Sequence, residues 1–116
     1  MFAWAAATRI YLAVGATDLR KGFDGLYALV AQRLALDPLS GHVFVFANRA
    51  RTRLKLLFWD GSGLWVAAKR LGRGRFRWPA AAEGDKLQVT AEELAAVLGG
   101  LDLTAARRRA WFRRVI

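Results

Sequence analysis

The segment Lys69–Pro79, KRLGRGRFRWP, combines five cations with two aromatic residues and contains no acid. If it is extended, its last three arginines share one face about 6.7 Å apart, and the aromatics share the other. Arginine forks at such a spacing suit phosphate, which the planar guanidinium binds bidentately. The alternative is an amphipathic strand whose arginines are solvated and block unwanted edge pairing. The absence of acids favours a DNA contact by five residues: Lys69, Arg70, Arg73, Arg75 and Arg77.

A second basic cluster, NRARTRLK, places cations at alternate positions. Its members are Arg49, Arg51, Arg53 and Lys55. If this turn and the Lys69–Pro79 segment share a face of one sheet, their charges form a broad basic surface, as nucleic-acid binding requires.

Two further clusters lie nearer the termini. Arg20 and Lys21 fall in the first turn of a predicted helix, where cations oppose the macrodipole and a bound anion would relieve the conflict. Neutralisation by Asp18 and Asp24 remains an equal alternative. The last ten residues, RRRAWFRRVI, are expected to form a basic tail, 107–116, that binds DNA backbone, folds on a partner or is simply solvated. Its five cations are Arg107, Arg108, Arg109, Arg113 and Arg114.

The composition predicts binding and argues against catalysis. Nineteen basic and nine acidic residues give a net charge of +10, which favours polyanionic partners. The single histidine, His42, has no obvious catalytic partner, and cysteine is absent. The aspartates have simpler roles as helix caps and turn residues, and no phosphate-loop motif occurs. We therefore predict no enzyme activity, no metal and no cofactor.

The length and hydropathy predict one domain, residues 1–106, ahead of the basic tail. The apolar runs are too short to span a bilayer, and the start lacks the charge pattern of a signal peptide. These features lead us to expect a cytoplasmic protein with no membrane partner.

The strands and helices that must position the cations are predicted in the order β-α-β-β-β-β-α along the chain. Strand patterns occur at RIYLAV, VFVF, LKLLFW, LWVAAKRL and KLQV, with a further extended piece at GRFRWP. Asp18 is predicted to cap a helix ending at Asp37-Pro38, within which Gly22 and Gly25 suggest a close approach to the backbone. Thr90 and Glu93 form a capping box for the helix AEELAAVL. We predict a single α+β domain: a mainly antiparallel sheet of about five strands, one helix after the first strand, one C-terminal helix, and both helices on one side.

Four motifs in order, GATDLRKGFDGL, SGHVFVF, LKLLFWDGSGLW and KRLGRGRFRWP, resemble the TnpB accessory proteins of bacterial insertion sequences of the sixty-six type. The resemblance covers about residues 9–103. It implies a non-catalytic accessory role in DNA transposition beside a separate transposase, with DNA or that transposase as partner. A protein–protein adaptor without DNA binding is the alternative.

The family motifs also identify structural positions in this chain. They are Asp18, Gly22, Trp59, Asp60, Gly61, Gly63, Gly74, Phe76, Trp78 and Pro79. In the same comparison Lys69 and Arg70 fall on motif positions, whereas Arg73, Arg75 and Arg77 fall on variable ones. The resemblance therefore makes Lys69 and Arg70 the leading contacts of their segment.

Overall fold

The computed structural model describes residues 7–78 and 84–99. The described elements are β1 (Ile10–Ala13), α1 (Phe23–Ala28), β2 (Val43–Ala47), β3 (Arg53–Trp59), β4 (Leu64–Arg70), β5 (Lys86–Val89) and α2 (Ala91–Leu98). A π-helical segment, Leu29–Arg33, continues α1. The five strands agree closely with the predicted ones.

The five strands form one mixed sheet in the order β4-β3-β2-β1-β5. Strands β1 and β2 are parallel, with Ile10 opposite Val43, while the other three neighbouring pairs are antiparallel. The prediction of a mainly antiparallel sheet is therefore correct only in part. A parallel pair needs a crossover between its strands, and α1 supplies it.

The two helices cover opposite faces of the sheet, so the prediction that both lie on one side was wrong. Leu26 and Val30 pack against Phe44 and Leu57 on what we call the α1 face. Leu94, Val97 and Leu98 pack against a second set of strand residues on the α2 face, among them Ile10, Val45 and Leu56. This is possible because successive side chains of each strand point alternately to the two faces of the sheet.

Helix α1 begins four residues later than its sequence pattern predicts. Asp18 does not cap it: the carboxylate accepts the N–H of Arg20 at 3.0 Å and closes a turn, while Gly22 occupies the cap position without a side-chain bond. The expected close approach occurs at Gly25, where an added Cβ would lie 2.9 Å from the Cβ of Lys21. No such contact occurs at Gly22, where an added Cβ would meet open space.

Helix α2 begins as predicted. The Thr90 hydroxyl accepts from the Glu93 N–H at 3.1 Å, and the Glu93 carboxylate accepts from the Thr90 N–H at 3.0 Å. This reciprocal capping box fixes the first turn of the helix against the end of β5.

The chain after β4 crosses back over the sheet. Gly74, one of the structural positions of the family motifs, has φ +73°, a left-handed conformation that favours glycine. Phe76 and Trp78 are buried in the α2-face core, and Trp78 Nε1 donates to the Ala13 carbonyl at 3.2 Å. The predicted alternation of aromatics and arginines is therefore correct here, although the segment forms only an isolated bridge at Arg77 instead of a strand.

No helix within residues 7–78 and 84–99 is long and apolar enough to cross a membrane.

Candidate nucleic-acid interface

A basic groove lies where the parallel strands β1 and β2 end. Two connections form its walls, residues 16–20 after β1 and residues 48–50 after β2, and the Thr17 N–H donates to the Ala47 carbonyl at 2.8 Å to join them. Its volume is about 910 Å³. The groove is lined by Ala16, Thr17, Asp18, Leu19, Arg20, Asn48, Arg49, Ala50, Arg53 and Lys55. Open sheets with parallel strands commonly bind ligands beyond the carboxyl ends of those strands.

An adjoining depression of about 410 Å³ extends the groove across the start of β3 to the end of β4. It shares Leu19, Arg53 and Lys55 with the groove and adds Leu54, Ala68, Lys69 and Arg70. Arg53 and Arg70 are directly opposed across the β3–β4 ladder, on the α1 face. Like charges at directly opposed positions destabilise a sheet, and a bound anion would offset that repulsion.

Asn48 shapes the basic turn between β2 and β3. Its side-chain oxygen accepts the N–H groups of Thr52 at 2.9 Å and Arg53 at 3.1 Å. Its amide nitrogen also donates to the Thr52 hydroxyl at 3.1 Å. Asparagine stabilises turns in this way because its side chain replaces backbone hydrogen bonds. These bonds fix the turn that presents Arg49 and starts β3 at Arg53.

The groove has one acidic lining residue, Asp18, and Arg20 neutralises it. The Arg20 guanidinium donates to both carboxylate oxygens, at 2.7 Å from Nη2 and 3.0 Å from Nε. The side-chain bonds from Arg20, followed by its backbone bond, hold the pKa of Asp18 well below its usual range. Neutralisation by Asp18 is therefore the correct alternative for Arg20, whereas no ion pair joins Lys21 to an acid in the described part of the chain.

Three arginines around the groove keep unbalanced charges. Arg49, Arg53 and Arg70 form no ion pair with any residue that the structure describes. They surround the groove and its extension from β2 to β4. The result is a concave surface of uncompensated positive charge.

Three of the four lysines instead stabilise the fold by donating to backbone carbonyls. Lys55 Nζ donates to the Lys21 carbonyl at 2.9 Å, and Lys86 Nζ donates to the Leu34 carbonyl at 2.7 Å. Lys69 Nζ donates to the Leu98 carbonyl at the end of α2. A cation there satisfies a free carbonyl and interacts favourably with the helix dipole.

Adjacent residues Lys69 and Arg70 therefore face opposite ways. Lys69 opposes Leu54 in the α2-face core, whereas Arg70 opposes Arg53 on the α1 face. Because strand side chains alternate between faces, the two members of the predicted contact pair do not point the same way, although both line the extension of the groove. Their contact with DNA stays a prediction.

Arg51 is packed against the fold. Its guanidinium lies 5.8 Å from the centre of the Trp78 ring, and burial lowers the pKa of Arg51. Its carbonyl accepts the Phe76 N–H at 2.6 Å, and its φ of +60° is unusual for a residue with a side chain. Arg51 thus anchors the segment after β4 to the β2–β3 turn.

The remaining predicted contacts lie away from the groove or outside the described residues. Arg73, Arg75 and Arg77 are exposed beyond β4 and do not line the groove. Pro79 and the tail residues Arg107, Arg108, Arg109, Arg113 and Arg114 fall outside the described residues. The structure thus brings Arg20, Arg49, Arg53, Lys55, Lys69 and Arg70 to the lining of the groove and its extension, and does not place Lys21, Arg51, Arg73, Arg75 or Arg77 in that lining.

The motif after Trp59 closes the β3–β4 hairpin at the end remote from the groove. Asp60 accepts from the N–H groups of Ser62 and Gly63 at 2.8 and 2.9 Å and from Trp65 Nε1 at 2.7 Å. These bonds, led by that from the Ser62 backbone, keep the pKa of Asp60 well below its usual range. Gly61 has φ +101°, which explains the glycine at this turn.

Trp65 is an exposed aromatic residue beside this turn. Its ring is 52% exposed and stacks on Phe58, with 6.1 Å between ring centres and 5° between planes. Five strand residues, about 17 Å, separate Trp65 from Arg70 along β4. Trp65 and the groove are therefore separate surfaces.

Sequence reasoning missed Thr17 and Asn48. Asn48 could have been identified because asparagine beside a basic turn is a turn-forming residue. Thr17 carried no comparable pattern, since its importance comes from burial at the groove. No group of three or more potential metal ligands occurs within 7–78 and 84–99.

Comparisons with known proteins agree with the motif resemblance. A family model described as IS66 Orf2 like protein matches residues 8–108. The uncharacterized protein y4hO of Sinorhizobium fredii is 43% identical over 94 residues, which are 81% of each chain. The uncharacterized protein y4jC of the same organism is 39% identical over 101 residues, 87% of this chain and 86% of that protein. No solved structure matches the chain at a significant level.

Proposed function

Because the chain belongs to the IS66 Orf2-like protein family, we propose that it is a non-catalytic accessory protein for transposition of a bacterial insertion sequence. In this role it binds duplex DNA through the groove and assists a separate transposase, which performs the strand chemistry. We expect the protein to need no cofactor for this role.

One observation carries the DNA-binding proposal: the uncompensated charge of Arg49, Arg53 and Arg70 around a concave surface whose acid is already neutralised. Guanidinium groups of this kind bind phosphates and release the counterions that DNA holds. Phosphate contacts position a protein on the duplex without reading base sequence. The proposed binding is therefore electrostatic and depends strongly on salt.

An adaptor role for the transposase is the second candidate, and the exposure of Trp65 favours it. Tryptophan is enriched among residues that dominate protein–protein interfaces, and this ring is held in place by Asp60 and Phe58. Because Trp65 lies far from the groove, one molecule has room for both partners. The two roles can be separated by substitution.

The salt dependence of duplex binding tests the first role. Three free arginines, each neutralising one phosphate, predict a slope of log affinity against log salt of about −2.7. Arg53→Gln should make this slope less steep by about 0.9. Arg9→Gln is the matched control, because it removes the same charge from an exposed position before β1, at the end of that strand remote from the groove.

Absence of duplex binding at low salt would refute the DNA role, and equal slopes for the two variants would refute the groove as its site. A pull-down with the transposase of the same element tests the adaptor role. Trp65→Ala should weaken that capture while Arg53→Gln preserves it. Capture that is insensitive to Trp65→Ala would exclude the Trp65 surface as the adaptor site.

A further inference from the structure

Thr17 is a buried polar residue whose hydroxyl has no partner. Its side chain is 5% exposed, and Oγ1 forms no hydrogen bond with any residue that the structure describes. Thr17 nevertheless lines the groove, and its backbone N–H is fixed to the Ala47 carbonyl. Buried polar groups are almost always satisfied, so an unpaired hydroxyl in the wall of a ligand groove indicates a missing acceptor. Because Oγ1 is enclosed in the DNA-free protein, it reaches that acceptor by rotation of the Thr17 side chain.

The neighbours of Thr17 define the charge of that acceptor. Arg49 and Arg53 line the same groove without ion-pair partners, and the one acidic lining residue, Asp18, is already bound by Arg20. A hydroxyl that can donate a hydrogen bond, placed among guanidinium groups without ion-pair partners, can bind an oxyanion. A phosphate group offers several oxygens, so it can accept from the hydroxyl and from an arginine at once.

We propose that Thr17, Arg49 and Arg53 form a discrete phosphate site within the groove, which takes one phosphodiester of the DNA backbone. Thr17 Oγ1 donates a hydrogen bond to one oxygen of this phosphodiester, Arg53 balances its single negative charge, and Arg49 flanks it and neutralises the adjoining phosphate of the backbone. The choice of a phosphodiester rests on the proposed DNA-binding function. The anchored position of Thr17 beside β2 would fix the register of the backbone relative to the sheet, which freely moving arginines cannot do.

Binding of small phosphates to the full chain tests this site. The probes are a thymidine dinucleotide, which holds a single phosphodiester, and inorganic phosphate, each titrated at constant ionic strength with acetate as the control anion. Backbone amide chemical shifts of Thr17, Arg20, Asn48 and Arg49 report where each probe binds. Dissociation constants are compared for wild type, Thr17→Val and Thr17→Ser.

The site predicts that the dinucleotide shifts these amides and that acetate does not. Thr17→Val keeps the side-chain shape but removes the hydroxyl, so it should weaken dinucleotide binding roughly tenfold. Thr17→Ser keeps the hydroxyl and should bind within about twofold of wild type. Thr17→Val should also unfold at no lower temperature than wild type, because it removes an unpaired buried hydroxyl.

Equal dinucleotide affinity for Thr17→Val and wild type would overturn the proposal, as would shifts confined to other parts of the chain. Binding of inorganic phosphate without the dinucleotide would overturn the phosphodiester assignment. If Thr17→Val has no effect while Arg53→Gln still reduces the salt slope for duplex DNA, the phosphate site fails and the DNA-binding function stands. If neither duplex nor phosphate binds, both fail.

Discussion

Arg53→Gln is expected to stabilise the DNA-free protein while it weakens DNA binding. Arg53 and Arg70 are directly opposed across β3 and β4 on one face of the sheet. Residues so placed have Cβ atoms about 4.5–5.5 Å apart, and like charges there are unfavourable. The single acid at the groove is bound by Arg20, so neither arginine gains a compensating partner in the described part of the chain.

The size of the effect follows from that geometry. Cross-strand pairs contribute roughly 0.2–1 kcal/mol, so removing one charge should raise the free energy of unfolding by about 0.5 kcal/mol. For a domain of this size the melting temperature should rise by about 2 °C. The backbone bond from the Arg53 N–H to Asn48 is independent of the side chain and should persist.

Urea unfolding at low and high salt is the appropriate assay, with Arg9→Gln as the control of equal charge. The gain should be present at about 20 mM salt and vanish near 1 M, where the Debye length is about 3 Å. Arg70→Gln should give a similar gain, and the double variant should gain less than the sum because one repulsion is removed only once. A destabilised Arg53→Gln protein at low salt, or a gain unaffected by salt, would show that Arg53 and Arg70 do not repel each other appreciably in the folded protein.

Three further substitutions test contacts of the fold. Lys69→Met should lower the free energy of unfolding by about 1 kcal/mol, because the Leu98 carbonyl loses its donor. The same substitution should leave the salt slope of DNA binding unchanged. A reduced slope would instead place Lys69 on the DNA. Asp60→Asn should destabilise the protein at pH 7. The pKa of Asp60 is lowered in the folded protein, so the stability that the ionised carboxylate contributes is present above the unfolded pKa of about 3.9 and is lost as the pH falls below that value. The melting temperatures of wild type and Asp60→Asn should therefore converge below about pH 4. A difference in melting temperature that stays constant with pH would contradict this role of Asp60. Trp78→Phe removes the bond to the Ala13 carbonyl and should cost about 1–2 kcal/mol in chemical denaturation, whereas an unchanged midpoint would show that this bond is dispensable.

Local patterns predicted the elements well because each carries its own chemical cue. The Thr90–Glu93 capping box is an interaction between residues three positions apart, and the bonds of the Asp60 turn likewise lie within residues 60–65. The burial of Phe76 and Trp78 followed from strict alternation with arginines.

Features that depend on long-range pairing could not be predicted in the same way. The parallel β1–β2 pair and the opposite placement of the helices follow from the path of α1 across one face of the sheet. Alternation alone separates Lys69 from Arg70, but only the register of Leu54 with Lys69 decides which one faces the groove. Thr17 became a candidate only when folding buried its hydroxyl beside two arginines.

The most direct test of the central claim is an amide chemical-shift titration of the protein with a short duplex from the end of the element. We expect the largest shifts in residues 16–20 and 48–53 and at Arg70, where the groove and its extension lie. Residues 60–65, at the far end of the β3–β4 hairpin, should change little. Shifts concentrated at residues 60–65, with the groove unaffected, would rule out the groove as the DNA-binding site.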